Sequence, residues 1–510
     1  MNLWQSVDPS QLISLSILVP FIGALLVLAT GKNPNLREGV TLTTATVLFT
    51  IVLAITDYTF QETVLRLDII ELFPGLGISF EVEPLGVLFA LVASFLWIIT
   101  SIYAIGYMRG HNEQNQTRFF CCFALAISSV MAICFSGNLL TLFIFYEVLT
   151  LSTYPLVTHA GTEAAKQGGR TYLGILLSTS IAFLLFAVLG TYSVTGTLDF
   201  QAGGIFNDND NKTALGVLLV LFCYGIGKAA IMPFHRWLPA AMVAPTPVSA
   251  LLHAVAVVKA GVFSILKVVI YIFGLETLTD LSTTDIMLYI GAATILLSSC
   301  IAMTKDNLKA RLAYSTVSQL SYIVVGALLA SSVAAAGAAL HIATHAVGKI
   351  TLFFCAGAIM VASHKKNISD MVGLGRQMPL TMAAFAIGAI SIIGLPPMAG
   401  TWSKWYLTIG ALEADKLIIV AVLMISSLLN IAYLLPIPIK AFFASSSNIS
   451  GETAEEAKPW SWSETKEAPL PILIALTVTS IGCLALFFYP QPLIDLINLI
   501  PGVSTSMGEN

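Results

Sequence analysis

Nine ionisable side chains stand inside segments of this sequence that are otherwise apolar. They are Glu147, Lys228, Lys259, Lys267, Lys349, Lys404, His253, His341 and His345. A lysine or a carboxylate at the centre of a membrane helix costs about 2.5–3.5 kcal/mol, so the six acidic and lysine groups would together cost about 15–20 kcal/mol against lipid. We therefore predict that these groups face protein or water. Carboxylates, amines and imidazoles can hold, release and relay protons, which is the chemistry that this set indicates.

His341, His345 and Lys349 follow one another at intervals of four residues. In an α-helix this spacing puts the three side chains on one face, with about 6 Å of rise between neighbours, a gap that water can bridge. His253 and Lys259 are six residues apart. In a regular helix these two would lie about 9 Å apart along the axis and on different faces, so they form a weaker candidate for a relay.

Two of the lysines stand beside helix breakers. Lys228 precedes Pro233 by five residues, and Lys404 follows Pro397 by seven. Broken helices at membrane depth line hydrated or protein-buried cavities, because their freed backbone groups need partners. An ionisable group at a broken helix in each half of a chain is typical of paired repeats around an ion site. Proline-kinked packing without transport is the alternative interpretation.

Glu147 has no charged neighbour in sequence, so it needs a partner from another helix. Lys228 or Lys259 is the candidate. Opening and closing such a pair would switch the lysine between holding and releasing a proton. Lys267 lies near the end of the segment that contains Lys259, and we expect its ammonium group simply to reach outward to the membrane surface.

The composition predicts a polytopic all-α membrane protein. Of the 510 residues, 57% are hydrophobic and only 10% are charged, whereas about a quarter of an ordinary soluble domain is charged. Apolar runs of about 20 residues, the length that crosses the hydrocarbon core of a bilayer, recur along the chain. We predict about fourteen spans. They lie near residues 11–30, 38–56, 84–107, 118–136, 138–158, 172–195, 213–233, 245–273, 286–304, 313–330, 332–362, 380–410, 417–441 and 471–489.

Basic residues indicate the orientation of these spans. With the N-terminus outside, sixteen of the 24 Lys and Arg residues fall in inner loops and three in outer loops. Because Lys and Arg are retained on the cytoplasmic side, we expect both termini outside a cell (inner) membrane. The first span has no basic leader, so we expect no cleavage of a signal peptide.

The spans group into four regions. Residues 1–116 hold three helices and an outer hairpin at 57–83, and residues 117–273 hold spans 4–8. Residues 274–441 hold spans 9–13, and residues 442–510 hold an inner loop, a last helix and a short tail. We predict that spans 4–8 and 9–13 are two inverted five-helix repeats, with helices 7 and 12 broken. The tail is either an amphipathic helix in the membrane interface or a final turn that packs on the core.

Nothing in the sequence indicates a cofactor, a metal centre or a nucleic-acid partner. The seven cysteines lack ligand spacing, and the net charge is −4. GIGK at 225–228 lacks the spacing of a phosphate loop, and HIATH lacks the glutamate of a zinc-protease motif. We therefore expect a transporter subunit that is not itself an enzyme.

Five stretches resemble the antiporter-like subunit family shared by respiratory complex I, membrane-bound hydrogenases and Mrp-type sodium/proton antiporters. They are SGNLLTLFIFYEVLTLSTYPLV, GKAAIMPFHRWLPAAMVAPTPVSALLHAVAVVKAG, KARLAYSTVSQLSYIVVG, HIATHAVGKITLFFCAGA and GLPPMAGTWSKWYL. The resemblance covers nearly the whole chain. It implies a hydrated proton axis halfway through the membrane, in a complex of several membrane subunits that includes a homologous antiporter-like one.

The resemblance also implies a role for each site residue. Glu147 looks like the family's span-5 glutamate, Lys228 like its span-7 lysine, Lys259 with His253 like its span-8 relay, His341, His345 and Lys349 like its span-11 connectors, and Lys404 like its span-12 terminal lysine. In the family, charge moves along this axis when the glutamate and the lysine associate or separate.

Within the family, the chain looks most similar to the D-type subunit of an Mrp antiporter, which implies exchange of Na⁺ for protons. FEVEPLGVLFALVASFLWIITSIYAIGYM and the overall length carry this likeness. Only about 20 residues follow the last span, which argues against the L-type subunit of complex I with its long lateral helix. Lys404 argues against the M-type subunit of complex I, which has a glutamate there. A proton-pumping subunit of a complex I-like oxidoreductase, a hydrogenase or a bicarbonate-uptake complex is the alternative, because APTPVSALLHAVAVVKAG also looks like the A-type and L-type members of the family.

Overall fold

The computed structural model describes residues 8–73, 76–206, 211–444 and 465–506. These residues form long helices, short connecting turns and one two-stranded sheet. The elements are α1 (Pro9–Ala29), α2 (Pro34–Phe60), β1 (Arg66–Phe73), β2 (Leu76–Glu81), α3 (Pro84–Gly110), α4 (Gln116–Cys134), α5 (Leu139–Val157), α6 (Glu163–Thr195), α7 (Lys212–Gly225), α8 (Thr246–Phe273), α9 (Ser282–Thr304), α10 (Leu308–Leu328), α11 (Ser332–Ser363), α12 (Pro379–Ile393), α13 (Gly400–Glu413), α14 (Leu417–Phe443), α15 (Leu470–Phe488) and α16 (Gln491–Asn498).

The helices confirm the predicted fold class. Each of the fourteen predicted apolar segments coincides with helix, and α12 with α13 together make the twelfth. Within the described ranges, eleven helices are long and apolar enough to cross a membrane, and α7 and α12 are apolar but shorter. The chain is therefore a multi-pass membrane protein. The inverted relation of spans 4–8 to spans 9–13, and the four regions drawn from it, stay predictions.

Both helices that were predicted to break do so. After α7 the chain makes a single 3₁₀ turn, Gly227–Ala229, that contains Lys228, and Ala230 then has a left-handed φ of 58°. Helix α12 ends where Gly394 turns the chain with a φ of 87°, a conformation that favours glycine. A Cβ atom at Gly394 would lie 2.6 Å from Cδ of Lys404, so the break also lets the lysine pack against the backbone.

Helix α8 occupies the centre of the bundle. The whole of its most apolar stretch is buried, whereas only about a third of the corresponding stretch is buried in α1, α2, α6 and α15. Helix α8 is not regular: a wider π turn spans Leu251–Val255, and Ala256 bends the chain. The regular geometry that we used to relate His253 to Lys259 is therefore wrong, because the irregular turn lies between them.

The predicted outer hairpin is present and defines one face of the protein. Strands β1 and β2 pair antiparallel, with Arg66 opposite Glu81. The hairpin is tied to the connection between α4 and α5, because the N–H of Glu81 donates to the Phe135 carbonyl at 2.7 Å and the N–H of Gly137 donates to the Ser79 carbonyl at 2.9 Å. We call this face the hairpin side, and we call the opposite face, which carries Lys365 and Lys366, the basic side.

The tail forms a short helix with one apolar face, and that face packs on the core. Helix α16 lies against α3 and α11 and buries Ile494, Leu496 and Ile497. Residues 445–464 of the predicted inner loop lie outside the part of the chain that the structure describes.

Helices α11 and α13 touch through their backbones, which generates a stability prediction. A Cβ atom at Gly410 would lie 2.4 Å from the backbone nitrogen of Ala334. We expect Gly410→Ala to force the helices apart at a cost of about 1–3 kcal/mol. Thermal unfolding of the purified protein in detergent measures the change. Gly174→Ala is the control, because nothing lies within 4 Å of that position. Equal midpoints for the two variants would contradict the close packing.

Candidate functional site

Lys228 is held by helix α5. Its Nζ atom donates to the Tyr146 carbonyl and to Oγ1 of Thr150, both at 2.7 Å, and lies 3.0 Å from the centre of the Tyr146 ring. The backbone N–H of Lys228 donates to the Tyr146 hydroxyl at 2.9 Å. The lysine is completely buried. Its amine therefore meets neutral oxygens and a ring face, which can stabilise the charged form without locking it into an ion pair.

Glu147 follows Tyr146 along α5 and interacts electrostatically with Lys228. Both of its carboxylate oxygens are buried and have no hydrogen-bond partner among the described residues. Glu147 thus lies near enough to Lys228 to interact with its charge, but the two side chains do not form an ion pair among the described contacts. The other predicted partner, Lys259, bonds elsewhere. A buried carboxylate without a partner is unfavourable, so a small movement that brings Glu147 to a donor would be favoured.

Lys259 bonds directly to His345. The distance from Nζ of Lys259 to Nδ1 of His345 is 2.7 Å, and both residues are buried. This contact joins α8 to α11. An imidazole that accepts from a lysine on one nitrogen can donate from the other. That other nitrogen, Nε2, is buried with no partner in the described ranges.

His341 extends this contact toward α13. Its ring stacks on that of His345 at a centroid distance of 5.6 Å, and on its other side on that of Tyr322 at 5.7 Å. Nδ1 of His341 lies 2.8 Å from Oγ of Ser403. The predicted common face of His341 and His345 is therefore present, and it leads to the residue next to Lys404.

Lys404 bonds to a backbone carbonyl that the break between α12 and α13 leaves free. Its Nζ atom donates to the Ile393 carbonyl at 2.9 Å and to Oγ of Ser427 at 3.1 Å, and lies 4.8 Å from the centre of the Tyr322 ring. Ile393 is the last residue of α12, so its carbonyl lacks an intrahelical donor. A continuous row of contacts results, which we call the axis: Lys259, His345, His341, Tyr322 and Lys404.

Four of the eight predicted site residues lie off the axis: Glu147 and Lys228, described above, and Lys349 and His253. Nζ of Lys349 donates to Oγ of Ser315 at 2.9 Å rather than to a histidine. The His253 ring packs on Phe353 at a centroid distance of 4.8 Å, and both of its nitrogens are buried without a partner in the described part of the chain. Among the described residues, the contacts of His253 thus do not include Lys259, which bonds to His345 instead.

A cleft on the basic side reaches the start of α8. It has a volume of about 390 Å³. Its lining includes His111, Glu113, Thr246, Lys309 and Met360. Thr246 begins the helix that carries His253 and Lys259, so the cleft brings the surface of the protein near the buried groups. In the described residues, no group of His, Cys, Asp or Glu side chains could hold a metal ion.

Our expectation for Lys267 is wrong. The side chain is fully buried, and its Nζ atom forms an ion pair with Oε2 of Glu83 at 3.0 Å. Nζ also donates to the Ser136 carbonyl at 2.6 Å. Lys267 does not reach outward because Glu83, at the start of α3, brings a carboxylate to it. Glu83 stands at the head of a long apolar run, a signal that could have marked it as the partner of an intramembrane cation. Burial raises the pKa of Glu83, and the charge of Lys267 opposes that rise.

Breaking this ion pair should destabilise the protein. Removing one partner of a buried pair leaves the other charge uncompensated, at a cost of about 3–5 kcal/mol. We therefore expect Glu83→Gln or Lys267→Met alone to lower the thermal midpoint in detergent. The double variant should recover most of the loss, because it leaves no unpaired charge. Single variants as stable as the parent would show that the pair contributes nothing.

Two protein-family models match the chain. The one described as NADH:quinone oxidoreductase/Mrp antiporter, TM, matches residues 136–430. The one described as NADH-Ubiquinone oxidoreductase (complex I), chain 5 N-terminus, matches residues 75–120. The first match alone covers more than half of the chain and contains the axis.

Curated relatives agree with this match. NADH-quinone oxidoreductase subunit N of Desulforudis audaxviator is 33% identical over 427 residues, which are 83% of this chain and 84% of the relative. Chloroplastic NAD(P)H-quinone oxidoreductase subunit 5 of Chaetosphaeridium globosum is 33% identical over 345 residues, 64% of this chain and 50% of the relative. The chain thus spans about half the length of the subunit 5 relatives that it matches.

Solved structures share the fold. A chain of the Mrp complex from a Dietzia species superposes with a TM-score of 0.82 at 22% identity and covers 98% of both chains. A chain of the membrane-bound sulfane sulfur reductase, an archaeal respiratory membrane complex, gives a TM-score of 0.82 at 22% identity over 96% of both chains. As the sequence predicted, the chain belongs to the NADH:quinone oxidoreductase/Mrp antiporter family of membrane proteins.

Proposed function

We propose that this chain is the proton-translocating subunit of a multisubunit Mrp-type antiporter, which exchanges Na⁺ or another monovalent cation for protons. It lies in the cell membrane with the hairpin side and both termini outside, next to a homologous antiporter-like subunit. The residues that carry the proton are Glu147, Lys228, His253, Lys259, His341, His345, Lys349 and Lys404.

The observation that carries the proposal is the unbroken axis between Lys259 and Lys404. Five side chains from four helices follow one another at ring-contact or hydrogen-bond distance, and the first of these contacts is a lysine bonded to a histidine at 2.7 Å. Protein interiors do not require such an arrangement for stability, because apolar residues of equal size pack as well without the desolvation cost. Protonatable groups in a row suit proton transfer.

Glu147 and Lys228 supply the switch at one end of the axis. When the carboxylate approaches the lysine, the proton is held there. When the two separate, the ammonium group is surrounded only by neutral oxygens and can release its proton. Lys228 lies directly against α8, because a Cβ atom at Gly261 would lie 2.8 Å from Cβ of Lys228. The helix that carries Lys259 therefore adjoins the switch.

The names of the curated relatives favour a second candidate. In this alternative, the chain is a proton-pumping membrane subunit of a complex I-like oxidoreductase, hydrogenase or bicarbonate-uptake complex, and the redox chemistry takes place on other chains. We prefer the antiporter because the chain from the Mrp complex matches over 98% of both chains, whereas the match covers 84% of the subunit N relative and 50% of the subunit 5 relative. The reductase chain matches almost as fully, so an experiment must separate the two functions.

The intact complex in sealed vesicles with an internal pH dye separates them. We expect a Na⁺ gradient alone to move protons in the absence of an electron donor. Proton movement that requires NADH and quinone, and ignores Na⁺, would replace the antiporter with the redox-coupled alternative. Reading both conditions on the same vesicles controls for leak.

Neutralising the ends of the proton path should abolish transport. We expect Glu147→Gln, Lys228→Ala and Lys404→Ala each to remove cation-dependent proton movement, with the complex still assembled on a native gel. Lys416→Ala is the control, because Lys416 pairs with Asp285 near the hairpin side, away from the axis. Loss of assembly with normal transport per remaining complex would instead assign these residues a structural role.

Lys404→Arg tests proton release directly. Arginine keeps the positive charge and can donate to the Ile393 carbonyl, but it does not lose its proton in proteins. We therefore expect a complex that assembles normally and whose proton flux is at least about 100-fold lower, the lower end of the usual contribution of a proton-transfer group. Lys416→Arg should conduct like the parent. An active Lys404→Arg complex would contradict proton exchange at this residue.

A further inference from the structure

A second row of polar groups starts at Lys349, the lysine that lies off the axis. Oγ of Ser315 accepts from Nζ of Lys349 at 2.9 Å and lies 3.1 Å from the Tyr433 hydroxyl, which also contacts Oδ1 of Asn430. Lys349, Ser315 and Tyr433 are all buried. The hydroxyl of Ser315 thus links a lysine of α11 to a tyrosine of α14.

The row continues from Tyr433 to the surroundings of Lys404. The Tyr433 hydroxyl also interacts with Ser299 of α9. Oγ of Ser299 lies 3.0 Å from Oγ of Ser318 and 3.5 Å from Oγ of Ser426. The Tyr322 hydroxyl donates to the Leu423 carbonyl at 3.2 Å and also interacts with Ser426 and Ser427, and Oγ of Ser427 accepts from Nζ of Lys404 at 3.1 Å. We call this set the hydroxyl chain: Ser315, Tyr433, Ser299, Ser318, Ser426, Tyr322 and Ser427. Tyr322 is thus common to this chain and to the axis.

Helix packing alone does not account for this concentration of hydroxyls. A buried serine in a helix usually satisfies its hydroxyl on its own backbone, as Ser264 does by donating to the Ala260 carbonyl at 2.7 Å. Ser299 makes that local bond to Ile295 as well, yet its oxygen also faces hydroxyls from two other helices. A hydroxyl both donates and accepts, so a row of hydroxyls between two lysines can pass a proton along.

Lys349 also lies near the cleft on the basic side. Its Nζ atom is 3.5 Å from the Leu312 carbonyl, and Lys309, three residues earlier on α10, lines the cleft. Three residues of helix rise only about 4.5 Å. Lys349 therefore has a short approach to the surface that does not pass through the histidines.

We propose that the hydroxyl chain is a second proton branch, which runs from Lys349 to Lys404 in parallel with the histidines. The proposal rests on the proposed function of the chain. Lys349 gives one proton to the first hydroxyl, each hydroxyl passes its own proton to the next and takes one from the previous, and Lys404 receives one. Lys349 becomes a neutral amine, and Lys404 becomes an ammonium group. The hydroxyls are chemically unchanged after each O–H group has rotated back to its starting orientation.

The experiment interrupts each branch with a substitution that keeps an aromatic ring at the same position. In His341→Phe, the ring between His345 and Tyr322 remains but its nitrogens are lost, so the remaining flux must use the hydroxyl chain. Tyr433→Phe breaks that chain and keeps the aromatic packing. In vesicles that contain the intact complex, we expect each single variant to retain part of the cation-driven proton flux. We expect the double variant to lose at least about tenfold more than His341→Phe alone, within the range of a single proton-transfer group.

Tyr103→Phe is the matched control for the loss of a buried hydroxyl. Tyr103 is fully buried and donates to the Phe354 carbonyl away from the hydroxyl chain, and this variant should add nothing to His341→Phe. The second branch is refuted if Tyr433→Phe behaves like Tyr103→Phe in both backgrounds, or if His341→Phe alone has no flux. Lys404→Ala distinguishes the two levels of inference: normal flux in that variant refutes the proposed function itself, whereas lost flux leaves only the branch in question.

Discussion

The structure depends on one constraint: a lysine inside a membrane must find hydrogen-bond acceptors. Lys228, Lys349 and Lys404 solve it in the same way, each with one backbone carbonyl and one hydroxyl. Neutral oxygens stabilise an ammonium group less than a carboxylate does, so the free energy difference between the charged and the neutral amine stays small. A lysine in such surroundings can exchange its proton.

Lys267 shows the other solution. Its amine bonds to the Glu83 carboxylate as well as to a carbonyl, and both partners are buried. Separating these charges would leave each of them unpaired at low dielectric, so the pair holds the end of α8 to the start of α3. The same residue type thus serves packing near the end of α8, at Lys267, and lies on the proposed proton path in the middle of the helix, at Lys259. The partner of each lysine makes this difference.

The sequence predicted the fold, and it singled out four of the five residues that lie on the axis, because both depend on local signals. It missed Tyr322, since a tyrosine in an apolar run is not unusual. Hydropathy located the spans, prolines located the breaks, and the rarity of charge in apolar runs singled out the lysines. The errors concern partners that are distant in the chain. Glu83 and Lys267 are separated by 184 residues, and Ser299 and Ser426 of the hydroxyl chain by 127. A serine in a helix gives no signal of which distant neighbour it will face. No sequence signal predicts the π turn at Leu251–Val255 either, because the residues there are ordinary in helices.

The two ends of the proposed path differ in charge, so a proton is more stable at one end of the path than at the other. Glu147 places a negative charge beside Lys228, whereas Lys404 has no ion pair within the described ranges. Two unit charges at 4 Å attract by about 4 kcal/mol at the effective dielectric near a protein surface, so closing Glu147 on Lys228 draws the proton toward that end. Opening the pair removes this attraction and lets the charge spread toward Lys404. In the proposed function, movement of the Glu147 carboxylate is therefore enough to change which end of the path the proton prefers.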